Sequence, residues 1–490
     1  MNQKSTEIQG NSSKKTIISG LFWRYGERTC AQGVQFIVSI VLARLLTTTE
    51  YGYVGLITAL IAIGNVFVQA GFGNALIQKR NAEQEDFSAV FFMSIGLGII
   101  LSLIVQAAAP FIADFYNEPG LTNPIRVLSI MLILAGINSV QQAYVSRKMI
   151  FKKFFFATIS GTIISAFVGI ILAYLGYGVW ALVGQQLTNQ FIDTLVLWLT
   201  VRWRPTFHFS FYRIKNLFSF GWKLLVSSLL DTVYNNMYTF VIGKVYSADN
   251  VGYYNRGKNI PNLVITNINT SIQSVLFPAI SKEQSDKQRV KSLVRRSIMT
   301  STFLIFPCMA GLAAVAKPLT IILLTKRWLP CVPFMQFCCF IYAFWPIHTA
   351  NLQAISALGR SDIYLKLEFQ KKIVGIGILI ITIPMGIYAM MIGRCISTVI
   401  SSFLNARPNK ELLNYSFKEQ ILDVMPAFLL SVFMALIVSA VNLLNLNPWS
   451  ALLFQILAGV LCYAGGAKIL HMESLEYVLA TVKQYIGKSK

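Results

Sequence analysis

Apolar stretches of about 20 residues recur along the chain with short polar breaks between them, a length that crosses a bilayer as a helix. The pattern predicts fourteen spans, near 20–46, 51–74, 87–115, 122–145, 152–175, 178–202, 217–244, 257–280, 293–316, 331–357, 368–386, 388–406, 421–444 and 449–470. Several contain Gly or Pro, including Pro261, Pro278, Pro307, Pro346 and Pro384, which predicts bends that neighbouring helices tolerate. The stretch Ala316–Leu324 is apolar but too short to cross and is expected at the interface. The longest connections, 281–292 and 405–420, leave no room for a soluble catalytic domain.

Polar positions inside these spans are not scattered. In the first, Arg24, Glu27, Arg28, Gln32, Gln35 and Ser39 advance by three or four and so share one helical face. An Arg at the centre of a lone span costs about 3 to 17 kcal/mol, depending on the assay, so this face is expected to meet a wet interior rather than lipid. The seventh span carries Lys223, Ser227, Asp231 and Asn235 at a spacing of four. The eighth carries Asn259, Asn262, Thr266, Asn269 and Gln273 on one face, behind Lys258. Asn65 and Gln69 mark the second span, and Gln185, Gln186, Asn189, Gln190 and Asp193 the sixth. Isolated residues such as Asn138 and Thr162 are read as interhelical hydrogen-bonding groups. Whole stripes exceed what packing requires and predict an aqueous cavity.

Composition agrees with a polytopic membrane protein: 55% of residues are hydrophobic and 13% charged, with a mean hydropathy of +0.59. The formal charge of +22 is explained by topology and not by nucleic acid. With the N-terminus in the cytoplasm, 30 Lys and Arg fall on the cytoplasmic side and 4 on the outer side. That asymmetry predicts both termini inside. Residues 1–16 lack the layout of a signal peptide, so the first span is expected to remain in the mature protein. The seven cysteines form no CxxC pair or Cys/His cluster and are read as small core residues, and the three histidines are scattered. Tyr253, Tyr254 and Trp203 lie at span ends, where an interfacial aromatic belt is expected.

The chain also repeats itself. Thr49-Glu50-Tyr51-Gly52-Tyr53 after the first span matches Asp249-Asn250-Val251-Gly252-Tyr253 after the seventh. Leu21-Phe22 before Gly26 has a counterpart in Leu217-Phe218 before Gly221, and Phe72-Gly73-Asn74-Ala75-Leu76 one in Phe277-Pro278-Ala279-Ile280. Six spans separate the copies, an even number, which predicts two parallel six-helix lobes with a site between them. The expected organisation is an N-terminal tail (1–16), an N-lobe (17–203), a C-lobe (204–407), two further spans (408–470) and a cytoplasmic tail (471–490).

Charge sign discriminates between substrates. Arg24, Arg28, Lys223, Lys258 and Arg394 lie deep in spans, against Glu27, Asp193 and Asp231, whereas Arg44, Arg126 and Lys244 lie near span ends and are expected to snorkel. A cationic excess favours an anion, and Arg meets phosphate oxygens in pairs. It disfavours a multidrug antiporter of cationic drugs. No Gly-rich phosphate loop followed by Lys-Ser/Thr is present, and no nucleophile–base constellation stands out, so a transporter rather than an enzyme is expected. A membrane polysaccharide polymerase or ligase would call for a sizeable outer loop, which this pattern lacks.

The segments Gly20-Leu21-Phe22-Trp23, Leu42-Ala43-Arg44-Leu45-Leu46 followed by Glu50-Tyr51-Gly52, Gly252-Tyr253-Tyr254-Asn255-Arg256, Lys326-Arg327-Trp328 and Leu358-Gly359-Arg360 resemble the Wzx-type polysaccharide flippases. These belong to the multidrug/oligosaccharidyl-lipid/polysaccharide exporter superfamily, and the chain looks closest to the colanic-acid exporter-like branch. The resemblance implies an all-α, MATE-like transporter of twelve core spans plus two, working by alternating access in a bacterial cytoplasmic membrane. Its substrate would be an undecaprenyl-diphosphate-linked oligosaccharide for O-antigen, capsule or exopolysaccharide, moved from the inner to the outer leaflet. Glycosyltransferases and a polymerase would be its partners, with no nucleic acid and no cofactor, and an ion gradient or the membrane potential as drive. Arg24 and Arg256 match family arginines suited to the diphosphate, so Arg24, Arg28, Lys223, Arg256 and Lys258 are the candidate cationic site. The amides and hydroxyl of the eighth span (Asn259, Asn262, Thr266, Asn269, Gln273) are the candidate sugar contacts, and Glu27, Asp193 and Asp231 balance charge or couple an ion.

Overall fold

A computed structural model of the chain describes residues 23, 26–70, 73, 76, 82–207, 211–444 and 446–487, with only the backbone at 211–220 and at a few positions near residue 70 and the C-terminus. Among these residues there is no strand. The helices are α1 (26–45), α2 (Thr48–Asn65, prolonged by a π-helical turn Val66–Ala70), α3 (Gln84–Tyr116), α4 (Pro119–Lys148), α5 (Lys152–Tyr174), α6 (Val179–Thr200) and α7 (Phe211–Val245). There follow α8 (Ala248–Glu283), α9 (Lys287–Ala314), α10 (Cys331–Ala357), α11 (Ser361–Thr382), α12 (Ile387–Leu413), α13 (Phe417–Ala440), α14 (Pro448–Ile469) and a tail helix α15 (Glu473–Gly487).

Each span read from the sequence coincides with one of α1–α14. Ten helices of the described residues are long and apolar enough to cross a membrane on composition alone. Helices α1, α6, α7 and α11 are not among them. Gln185, Gln186, Asn189, Gln190 and Asp193 lower the hydropathy of α6, and Lys366, Glu368, Lys371 and Lys372 that of α11. The connectors are shorter than the hydropathy pattern implied, because α8 and α12 run on in helix to Glu283 and Leu413. Reciprocal capping of Thr47 with Glu50 opens α2, and of Ser416 with Glu419 opens α13. Asn117 and Asn414, in the left-handed region at φ 57 and φ 51, end α3 and α12. Pro346 breaks α10 into Cys331–Ala343 and Trp345–Ala357, where its missing N–H falls on the first turn of the second half. Ala316–Leu324 is a nine-residue helix packed on α14.

The chain divides into two compact units, Met1–Gly252 and Tyr253–Lys490. In the first, α5 lies along α6 and α3 along α4, and α7 packs on α2 and α3. Gly98 and Gly136 bring α3 and α4 into backbone contact: a Cβ on either would stand 2.6 Å from a carbonyl oxygen of the other helix, that of Leu132 or Ser94. Such close approach replaces the hydrophobic driving force that lipid does not supply. A cluster around Phe87, Phe91, Phe154 and Trp203 fills one end, and one around Leu42, Val54, Ala173 and Leu182 joins α1, α2, α5 and α6. Packing and duplication cut the chain at different places: α7 opens the second sequence repeat but is packed into the first unit. In the second unit α9 lies along α13, α11 along α12, and Phe303, Leu430, Met434 and Tyr463 form the core that also receives Leu475 and Val478 of α15.

Candidate functional site

The N-terminal tail, Arg24 and His208 lie outside the described residues. Glu27 and Arg28 open α1 and are both half-buried. The Thr158 hydroxyl of α5 donates to Glu27 Oε1 at 3.0 Å. In the middle of the same unit, Asn138 Nδ2 of α4 donates to Asp193 Oδ2 of α6 at 2.9 Å, an interhelical bond of the kind expected for Asn138. Glu27 and Asp193 are within electrostatic range of each other. Asn189 of α6 donates to Ser165 of α5 at 3.3 Å, so part of the α6 amide face holds helices together. Thr162 departs from expectation: it bonds back to the Thr158 carbonyl at 2.7 Å within α5, the usual local outlet for a helical threonine.

The stripe of α7 is open. Lys223, Ser227, Asp231 and Asn235 are all exposed, although a polar face pressed against protein would not be. On α8, Asn259 and Gln273 are exposed, and Lys258, Asn262, Thr266 and Asn269 are half-buried. Asn269 accepts from Thr349 of α10 at 2.6 Å, and Thr266 donates to Asn262 at 3.4 Å within α8. The middle of that face is thus tied down and its two ends are free of packing.

Arg256 is placed differently from the other candidate cations. It is 6% exposed, with its guanidinium 5.6 Å from the ring centre of Trp328, itself fully buried. Tyr253 meets the same indole edge-on at 6.1 Å. Tyr254 is also fully buried; it accepts from Arg394 of α12 and packs on Phe334. The segments Tyr253–Arg256 and Lys326–Trp328 therefore meet in space. In this conformation Arg256 closes that junction instead of lining a cavity. Trp203, Tyr253 and Tyr254 correct the belt expectation in the same way: Trp203 and Tyr254 are core residues and Tyr253 is packed on Trp328, because neighbouring helices cover these span ends before lipid can.

One polar cluster went unread in the sequence. Asn351 of α10 donates to Gln420 of α13 at 2.8 Å and accepts from Asn409 of α12 at 2.6 Å, with all three at most 2% exposed. Next to it, Asn405 bonds His348 Nδ1 at 2.9 Å, and Ser402 stands 3.4 Å from Nε2. The signal was present as Ser402, Asn405 and Asn409 on one helical face. All seven cysteines are free, with Cys331, Cys338 and Cys339 buried as core residues and Cys30 and Cys308 on the surface.

A family of polysaccharide biosynthesis proteins matches residues 41–333, more than half of the 490 residues. The chain belongs to this family. The teichuronic acid biosynthesis protein TuaB of Bacillus subtilis (strain 168) is 26% identical over 471 residues, covering 92% of this chain and 95% of its own. The lipopolysaccharide biosynthesis protein WzxC of Escherichia coli (strain K12) is 23% identical over 427 residues, 86% of each chain. The fold is similar to that of a solved structure, the lipid II flippase MurJ in its inward closed conformation, with a TM-score of 0.73 at 15% identity over 93% of this chain and 99% of that one. An inward-facing multidrug MATE transporter matches with a TM-score of 0.59 over 78% and 95% of the two chains. This member of the family is thus a multi-pass membrane protein, all-α among its described residues, with the MATE-like fold.

Proposed function

We propose that this protein moves a lipid-linked oligosaccharide, carried on undecaprenyl diphosphate, from the cytoplasmic to the outer leaflet for assembly of a surface polysaccharide. The reading rests on family membership together with the open, mixed-charge face of α7, which a lipid-facing helix would not carry. Arg24, Arg28, Lys223 and Lys258 hold the diphosphate, with Arg256 joining them only if its junction with Trp328 opens. Asn259, Asn262 and Gln273 meet the sugar. Glu27 and Asp193 bind or release a coupling ion or proton, with Asp231 balancing Lys223 eight residues along α7. The bacterial cytoplasmic membrane houses the chain with both termini inside, and the glycosyltransferases and polymerase of the same polysaccharide act before and after it.

The test is export of surface polysaccharide in a deletion strain carrying Arg24→Ala or Arg28→Ala, with membrane levels measured in parallel. Loss of export at normal protein level is expected. Full export from both variants would remove the first span from the mechanism. Purified protein in liposomes, given a fluorescent undecaprenyl-diphosphate glycan, should expose that glycan to an outer-leaflet quencher faster than empty liposomes do.

A further inference from the structure

A cleft of about 320 Å³ opens between α2, α3 and α7 of the first unit, lined by Leu60, Phe111, Ile112, Phe115, Tyr116 and Phe240. Its lining is wholly aliphatic and aromatic apart from one phenol. Phe111 is 75% and Phe115 54% exposed, so it opens sideways, toward the surface that lipid covers. Beside the cleft α7 touches α2 at Gly243, where a Cβ would stand 2.6 Å from Leu56. Lys244 follows immediately. It lies one turn beyond Phe240 on the same face, its ammonium donates to the Phe115 carbonyl, and it stands 4.4 Å from the Phe115 ring centre. Asp114 is exposed and is turned about 100° around α3 from Phe115, away from that face.

An apolar slot with a cation at its mouth is complementary to an amphiphile with an anionic head and a long hydrocarbon tail. The last turns of α3 and α7 and the first of α2 share the end of the bundle that the charge distribution of the sequence assigns to the outside. The geometry points to this cleft as a binding groove for the prenyl chain of a prenyl diphosphate lipid in the outer leaflet, with Lys244 against its phosphate. This rests on the function proposed above and adds to it an exit path for the lipid tail. The cleft holds the tail near the head group while the glycan is already outside.

The test uses the full chain in nanodiscs with two photoreactive probes, a diazirine-bearing prenyl diphosphate and a diazirine-bearing phosphatidylglycerol. The prenyl probe should label the peptides holding Phe111–Tyr116 and Phe240. Labelling should fall several-fold in Lys244→Glu and in Leu60→Trp, which fills the slot, and persist in Lys244→Arg. Equal labelling of the cleft by both probes, insensitive to Lys244 and Leu60, would make it an ordinary lipid groove and overturn the inference. Prenyl labelling confined to other helices would overturn it while leaving the flippase reading intact. Absence of prenyl labelling anywhere, together with no glycan movement in liposomes, would overturn both.

Discussion

Gly52 and Gly252 hold equivalent positions in the two copies of one sequence motif, and each is pressed against the helix that carries the other. A Cβ on Gly52 would overlap the Ala248 carbonyl oxygen, and one on Gly252 would overlap that of Thr48. The contact is reciprocal, and Asp249 reinforces it by accepting from the hydroxyls of Thr48 and Thr49, the latter at 2.8 Å. Because the obstructing atoms are backbone, they cannot move aside as a side chain could. Gly52→Ala and Gly252→Ala are each expected to destabilise the protein by about 1–3 kcal/mol, the usual cost of overpacking. Thermal unfolding in detergent measures this, and an unchanged midpoint in both variants would contradict the contact.

Asn138 and Asp193 make the best-defined polar bond between α4 and α6. Replacing Asn138 with Leu removes the donor and leaves a carboxyl group inside the bundle one partner short, at a cost of about 1–3 kcal/mol. Asp193→Asn in the same background should recover part of the loss, since an amide supplies its own donor. Denaturation of the single and double variants checks this; equal losses in both would place the cost elsewhere.

Arg256 is expected to act on its junction through Trp328. Arg256→Ala should cost about 0.5–2 kcal/mol, the range of a cation over a ring, and Trp328→Ala about 3–5 kcal/mol for a fully buried aromatic. A double-mutant cycle should show the two coupled. Arg256→Lys keeps the charge but not the planar stacking. Additive losses would detach Arg256 from Trp328. Export retained by Arg256→Lys would set it apart from Arg24 as a positioning residue.

Tyr415, in the connector between α12 and α13, is fully buried and donates to Asp423 Oδ2 at 2.7 Å, while Arg295 grips the same carboxylate. Burial, and then the bond to Asp423, push the Tyr415 hydroxyl well above its ordinary value of 10.0. A raised value in the folded state means that the contribution is complete below the unfolded value and fades as pH climbs through the folded one. Tyr415→Phe should therefore cost about 1–3 kcal/mol at neutral pH. Its deficit against the parent should stay constant from pH 6 to 9, a span of about three units below the unfolded value. A deficit that shrinks across that range would contradict the sign.

Much of the architecture was legible in residue order. Lipid leaves no other outlet for backbone hydrogen bonds, so every long apolar run has to become a helix, and among the described residues each of them is one. The stripe on α7 was legible for a related reason. Its charges are too costly for lipid and too many for packing, and the helix exposes all four positions. Less legible was the partner of any single polar residue. Asn269 and Asn259 share a face by spacing, yet the first is bound to Thr349 and the second is open. Spacing assigns a face, whereas a partner depends on which helix lies across from it.

By itself the sequence determined where the helices lie and that a motif recurs, because hydropathy and residue order act residue by residue along one dimension. Tertiary structure alone decided that Gly52 meets Ala248, that Arg256 and Tyr254 are sealed beneath other helices, and that His348, Asn351 and Asn409 join one buried network. It also decided that α7 packs with the first unit. These are outcomes of helix-to-helix approach, set by where small residues let backbones touch and where large ones hold them apart, and no periodicity along a single helix contains them.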